Sequence, residues 1–122
     1  MSSTGTSPRA VAQAYFDHWT AGRFEAAAAL LAEKIEIETP INAYPNKADF
    51  VAALSGFGTL VTGANRLVDL AEGDDVVQIY DMNVSGLGVI RMTEHFVIQN
   101  GLVIRLRQIH DTAALRAAGF ER

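Results

Sequence analysis

The stretch RMTEHFVI, residues 91–98, places a carboxylic acid among apolar residues. If this stretch is a β-strand, alternate side chains share one face of the sheet. Glu94 then lies between Met92 and Phe96 as the single charged residue of its row. An ionised carboxylate is costly to bury without a partner, so such a group usually becomes neutral or finds a hydrogen bond. An acid in an apolar row that faces a cavity is a candidate for a shifted pKa and for a functional role.

Three further residues carry groups that could transfer a proton or donate a hydrogen bond. His110 has a side chain whose ordinary pKa suits proton transfer near neutral pH, although a histidine at a strand end is more often structural than catalytic. Tyr15 lies on the apolar stripe of a predicted helix, where a tyrosine is ordinarily a core residue with its hydroxyl at the rim. Asp81, in QIYDMNV, belongs to a predicted strand whose two faces the sequence does not distinguish. The three histidines lack metal-ligand spacing, so no metal site is predicted.

The composition narrows the class of protein. The chain has 122 residues, of which 49% are hydrophobic, and this predicts one globular domain over residues 1–122. The absence of cysteine excludes disulfides, thiol catalysis and thiolate metal sites. A net charge of −4 argues against nucleic acid as the main partner. No run is apolar enough to span a bilayer and no signal-peptide pattern is present, so we expect a cytoplasmic protein without membrane contact.

The first part of the chain is predicted to be mainly helical. Ser7 before a proline is typical of a helix start, and the first helix should end near Gly22. Residues 24–33, FEAAAALLAE, favour a second helix because alanine and leucine are strong helix formers. Asn46 can cap a third helix over residues 47–57.

Strands are predicted between and after these helices. In KIEIETP, residues 34–40, Ile35 and Ile37 alternate with Glu36 and Glu38, which is typical of a half-buried strand. Turn signals then separate four alternating runs, and a short final helix follows Asp111. The four predicted strands cover residues 64–71, 76–84, 88–98 and 102–110. Helices followed by an antiparallel meander predict an α+β domain in which a curved sheet wraps over helices.

Alternation divides the last two strands into a polar and an apolar face. The polar face carries Arg91, Thr93, His95, Arg105 and Arg107. The other face, which should lie against the helices, carries Ile90, Met92, Glu94, Phe96, Ile104, Leu106, Gln108 and His110. Glu94 and His110 are therefore expected on the same side.

This order of elements resembles the NTF2-like superfamily, which includes ketosteroid isomerases and SnoaL-like polyketide cyclases. The stretch VAQAYFDHWTAGRFEAAAALLAEKIEIETP, residues 11–40, is similar to the isomerase pattern without a gap. Further on, EHFVIQNGLVIRL resembles the isomerase hairpin. The resemblance implies a cone-shaped fold with a concave apolar pocket and a homodimer through the polar sheet face. Function does not follow from the fold, since this scaffold hosts many activities.

The resemblance also implies roles for individual residues. The oxyanion-hole tyrosine of the isomerases falls on Tyr15, and their protonated aspartate falls on Glu94, so the two would bind a developing oxyanion together. The general base of the isomerases falls on Thr39, whose hydroxyl cannot take a proton from carbon near neutral pH. Glu38 is adjacent but points away by strand alternation.

A second branch of the superfamily, the limonene epoxide hydrolases, has an acid at a position similar to Asp81. Its arginine and second aspartate fall on Ile79 and Gln108, so its catalytic triad is absent here. The proton would therefore be moved by His110 or Asp81.

Together these observations predict a cofactor-independent enzyme of the isomerase, cyclase or dehydratase type. Its ligand should be a small hydrophobic molecule with a carbonyl or hydroxyl group, such as a polyketide, a terpenoid or a steroid-like compound. The alternative is a non-catalytic module of the same fold that binds a small molecule or dimerises. The predicted pocket is lined by Tyr15, Trp19, Thr39, Phe50, Leu54, Phe57, Met92, Glu94, Phe96, Leu106 and His110.

Overall fold

Helices precede an antiparallel meander in the computed structural model, which describes residues 7–120. The predicted α+β class is confirmed. The elements are α1 (Pro8–Thr20), α2 (Phe24–Ala28), β1 (Leu31–Glu38), α3 (Lys47–Gly58), β2 (Val61–Glu72), β3 (Asp75–Val84), β4 (Gly88–Gln99), β5 (Leu102–His110) and α4 (Ala113–Ala117). No helix in this described part is long and apolar enough to cross a membrane.

The five strands form one sheet in the order β1-β5-β4-β3-β2. Strands β2 to β5 pair as antiparallel neighbours, and β1 joins the edge of β5 in parallel. The register shifts within β1, within β2 and between β4 and β5. Such bulges bend a sheet, so this one curves and stays open, with α1 and α3 on its concave side.

The predicted helix caps are present. The Ser7 hydroxyl accepts a hydrogen bond from the Ala10 amide at 3.2 Å, and the Asn46 side chain accepts one from the Asp49 amide at 2.9 Å. Gly22, with a φ of +80°, lies just beyond the end of α1 in the left-handed conformation that favours glycine.

The second helix is shorter than its sequence predicts. It ends at Ala28 instead of continuing to residue 33, and β1 begins at Leu31, three residues before the predicted strand. Leu31 is buried and pairs with Val103, whose amide donates to the Leu30 carbonyl at 2.8 Å. Sheet pairing and burial of Leu31 outweigh the helix propensity of this stretch.

The alternation of β5 is interrupted, which corrects the expected position of Ile104. Val103 and Leu106 are both fully buried although they are three residues apart, and Ile104 is only half-buried. The register shift opposite Val97 and Ile98 accounts for this, because a bulge changes which side chains face the core. From Leu106 to His110 the predicted alternation holds.

The outer face of the sheet, opposite the helices, is polar as expected, and its charged side chains are paired. Arg91 binds Asp81, and His95 contacts Asp75, each at 2.7 Å. On the next strands Arg105 and Arg107 contact Glu36 and Glu38 of β1.

The hairpin between β4 and β5 gives a stability prediction. Asn100 and Gly101 have φ angles of +54° and +76°, the pattern of a tight two-residue hairpin turn. We expect Gly101→Ala to lower the free energy of unfolding by about 1 kcal/mol, because a side chain disfavours this conformation. The matched control is Gly56→Ala within α3, where an added Cβ meets no atom within 4 Å. Urea unfolding should show the control to be neutral or stabilising, and equal effects of both variants would contradict the prediction.

Candidate active site

A cavity of about 560 Å³ lies between the concave face of the sheet, α1, α3 and the C-terminal segment. Its size is that of a site for a small organic molecule. Most of its walls are apolar or aromatic. Nine of the predicted lining residues are present, namely Tyr15, Trp19, Thr39, Phe50, Leu54, Phe57, Met92, Glu94 and His110.

Phe96 and Leu106, which were expected in the lining, belong to the core instead. Both are fully buried, and they pair with each other across β4 and β5 one row beyond Glu94. The ring of Phe96 packs edge-on against Tyr15, with ring centroids 5.8 Å apart. These two residues therefore support the floor of the cavity without lining it.

Several lining residues were missed by the sequence analysis. On the sheet they are Tyr80, Met82 and Gln108. Tyr80 and Met82 flank Asp81, so alternation would have assigned them to the pocket once the face of Asp81 was known. The remaining missed residues come from the loops, α3 and the C-terminal segment, which lack a strand-like pattern: Ile41, Asn42, Tyr44, Asp49, Ala52, Ala53, Gly56, Leu115 and Phe120.

Glu94 is buried at the floor of the cavity and is held by two donors. The Tyr80 hydroxyl donates to one carboxylate oxygen at 3.0 Å, and the Gln108 amide donates to the other at 2.9 Å. Burial raises the pKa of Glu94 to about 7, while the hydrogen bonds from Gln108 and Tyr80 act in the opposite direction. Both protonation states are therefore populated near neutral pH.

Within the described structure the hydrogen bonds to the Glu94 carboxylate come from Tyr80 and Gln108 and not from Tyr15. Tyr15 nevertheless lines the same cavity from α1. Burial, and then the charge of Glu94, hold the pKa of Tyr15 well above its usual range. The hydroxyl of Tyr15 thus keeps its proton and can donate a hydrogen bond to a ligand.

Asp81 lies outside the cavity, which corrects its prediction as a proton-transfer residue. Its carboxylate accepts two hydrogen bonds from the Arg91 guanidinium, at 2.7 and 2.9 Å, on the outer face. These hydrogen bonds lower the pKa of Asp81. Strand alternation is the physical reason, because Tyr80 and Met82 on either side face the cavity.

Thr39 and His110 both line the cavity but differ in what they offer. The Thr39 hydroxyl donates to the Asn42 carbonyl at 2.6 Å, so it stabilises the loop. In His110, Nδ1 lies 3.0 Å from the Asp111 carbonyl, which can only accept. This contact places a proton on Nδ1 and leaves Nε2 of a neutral ring as an acceptor.

No group of three or more potential metal ligands occurs within the described residues.

A profile of the SnoaL-like domain matches residues 12–106, and the chain belongs to this family. Among solved structures, an NTF2-like protein from Cytophaga hutchinsonii is 19% identical, with a TM-score of 0.79, covering 95% of this chain and 99% of its own. A candidate ketosteroid isomerase from Kribbella flavida is 25% identical, with a TM-score of 0.72, covering 87% of this chain and 78% of its own.

A candidate polyketide cyclase from Sinorhizobium meliloti is 16% identical, with a TM-score of 0.72, covering 81% of this chain and 93% of its own. No curated protein matches the chain. The resemblance to the NTF2-like fold is thereby confirmed, and the similar structures include proteins of the isomerase and cyclase types.

The burial of Glu94 predicts how stability depends on pH. Its pKa is about 7 in the folded protein against an ordinary value of 4.5, so the folded state holds an extra proton between these pH values. The free energy of unfolding should therefore fall as pH rises from 4.5 to 7, by a total on the order of 3 kcal/mol. Glu94→Gln removes this titration. Urea unfolding across this range should show the difference between the two proteins, and parallel curves would contradict the prediction.

Proposed function

We propose that this protein is an enzyme that forms an enol or enolate from a small hydrophobic carbonyl compound. Glu94 carries the proposal, because it is a carboxyl buried in an organic-sized cavity, fixed by Tyr80 and Gln108 and half-ionised near neutral pH. A general base works best when its pKa lies near the working pH. Glu94 then supplies the base that Thr39 cannot provide.

In the proposed reaction, the Glu94 carboxylate removes a proton from the carbon next to a carbonyl group. The electron pair of the broken C–H bond forms a C=C bond, and the carbonyl π pair moves onto oxygen. Tyr15 donates a hydrogen bond to that oxygen, an effect that can be worth about 3–4 kcal/mol in comparable sites. The neutral Glu94 keeps the proton until the next step.

The fate of the enolate decides the type of enzyme. Return of the proton from Glu94 to a different carbon completes an isomerisation, whereas attack of the enolate carbon on a second carbonyl closes a ring. Loss of a neighbouring hydroxyl as water is a dehydration, in which the enolate electron pair expels the hydroxyl and the proton held by Glu94 passes to it through Nε2 of His110, the proposed second proton carrier.

The aromatic walls and the scarcity of charge favour a polyketide, terpenoid or steroid-like substrate. Among the described residues that line the cavity, Asp49 and Glu94 have side chains that ordinarily carry a charge. His110 is the one other titratable side chain there besides the tyrosines. An uncharged ligand with a carbonyl or hydroxyl group suits such a cavity better than a carboxylate or phosphate, which the acids would repel.

The competing proposal is a module that binds a small molecule without turnover. The hydrogen bond from Thr39 to the loop favours this second proposal. The residue at the position of the isomerase base stabilises the loop here and does not act as a base. In that case Glu94 would only orient a ligand by accepting or donating a hydrogen bond.

Hydrogen–deuterium exchange into 2-tetralone, a bicyclic ketone, separates the two proposals. In D₂O the protein should accelerate exchange next to the carbonyl, measured by NMR, and Glu94→Gln should lose about 10²- to 10⁴-fold of this rate. Tyr15→Phe should lose about 10²- to 10³-fold.

Binding is measured separately with 2-naphthol, an enolate mimic, through the fluorescence of Trp19, the single tryptophan. Asp81→Asn is the matched control, since it also turns an acid into an amide but lies on the outer face. Tight 2-naphthol binding without any catalysed exchange would leave the binding module as the function.

Dimerisation through the outer face is also proposed. Val89 and Ile109 there are 63% and 65% exposed, and both supply apolar surface that a second copy of the chain could cover. We expect sedimentation to show a dimer that Ile109→Glu dissociates, whereas Leu102→Glu at the hairpin end has little effect. A monomeric wild-type protein would contradict this proposal.

The cytoplasmic location of the protein stays a prediction.

A further inference from the structure

A row of polar side chains crosses the concave side of the sheet. The strand register pairs Asp69 with Gln78, Gln78 with Glu94, and Glu94 with Gln108. Residues opposite one another on neighbouring strands project to the same face, with Cβ atoms about 4.5–5.5 Å apart. The row therefore runs from the cavity floor to β2, the edge strand of the sheet.

Gln78 is the member of this row whose side-chain amide makes no hydrogen bond to the described protein atoms. Its side chain is completely buried, yet neither its Nε2 nor its Oε1 has a hydrogen-bond partner in the described chain. Buried polar atoms are nearly always paired, and ordered water supplies the bond where protein atoms do not. Gln78 does not line the cavity, so ligand binding does not directly account for it.

Asp69 fixes the edge of the row. The Gln13 side chain donates to one of its carboxylate oxygens at 2.6 Å. The other oxygen is buried without a hydrogen bond, and Arg9 lies 3.8 Å from it. Asp69, the residue opposite Gln78 on the edge strand, thus holds a buried acceptor without a hydrogen bond.

We propose that Gln78 is a positioning residue for Glu94, acting through buried water that joins its amide to the Glu94 carboxylate on one side and to Asp69 on the other. Asp69 draws the Nε2 of Gln78 towards itself and so turns Oε1 towards Glu94. A water between them donates one hydrogen to Oε1 and the other to the carboxylate. A carboxylate has about four acceptor positions, of which Tyr80 and Gln108 use two.

This water would favour the ionised form of Glu94 and prepare it as a base. The inference deepens the proposed function and rests on its account of Glu94. The water would act alongside the titratable groups that line the cavity with Glu94, namely Tyr15 of α1, Asp49 of α3, Tyr80 of β3 and His110 of β5, and alongside Asp69, two strands away on β2.

The test is the titration of the Glu94 carboxyl, followed by ¹³C NMR in the whole protein. Gln78→Met keeps the length of the side chain and removes the amide, so the pKa of Glu94 should rise by about one unit. The melting temperature should change little, because the variant loses the amide together with the water bound to it. Val76→Ala, on the same strand and face, is the control: it should lower the melting temperature and leave the titration unchanged.

An unchanged Glu94 titration in Gln78→Met would overturn the proposal, whatever happens to the melting temperature. If that variant does not fold, Gln78→Asn replaces it, since a shorter side chain also breaks the water bridge. A raised pKa supports the proposal and an unchanged one refutes it. The readout is ionisation, not turnover, so a protein that fails the 2-tetralone assay can still pass or fail this test.

Discussion

The removal of the Glu94 carboxyl from water is the constraint on which the candidate site depends. Burial alone would leave this group neutral, and hydrogen bonds from Tyr80 and Gln108 bring its pKa back to about 7. The two opposing effects are both necessary, because a drier site would hold a fixed neutral acid and a wetter one an ordinary carboxylate. Three adjacent strands must keep their register for this balance to exist.

Because side chains alternate between the two faces of a strand, the same strands carry the candidate site on one face and the surface ion pairs on the other. Tyr80 and Asp81 are neighbours in sequence, yet one holds Glu94 in the cavity and the other holds Arg91 outside. The helices over the concave face do not fill it, so an apolar cavity remains above the core residues Phe96 and Leu106. A one-residue slip of β3 would exchange these roles.

Local sequence signals predicted most of the elements. The caps at Ser7 and Asn46 and the turn between the last two predicted strands are short-range features, and they appear in the structure as expected. The predictions were wrong where the conformation of a segment depends on its pairing with a strand that is distant in sequence. The stretch around Leu31 favours a helix by composition but pairs with β5, and the bulge near Ile98 moves Ile104 away from its predicted position.

The sequence by itself determined that Glu94 is an acid in an apolar row of its strand, because strand alternation is a property of the local backbone. Only the tertiary structure decided its partners. Tyr80 and Gln108 reach Glu94 from strands on either side, and the hydrogen bonds join residues 14 positions apart in the chain. Which face a strand turns inward depends on how the whole sheet packs on its helices, and that choice placed Tyr80 in the site and Asp81 outside it.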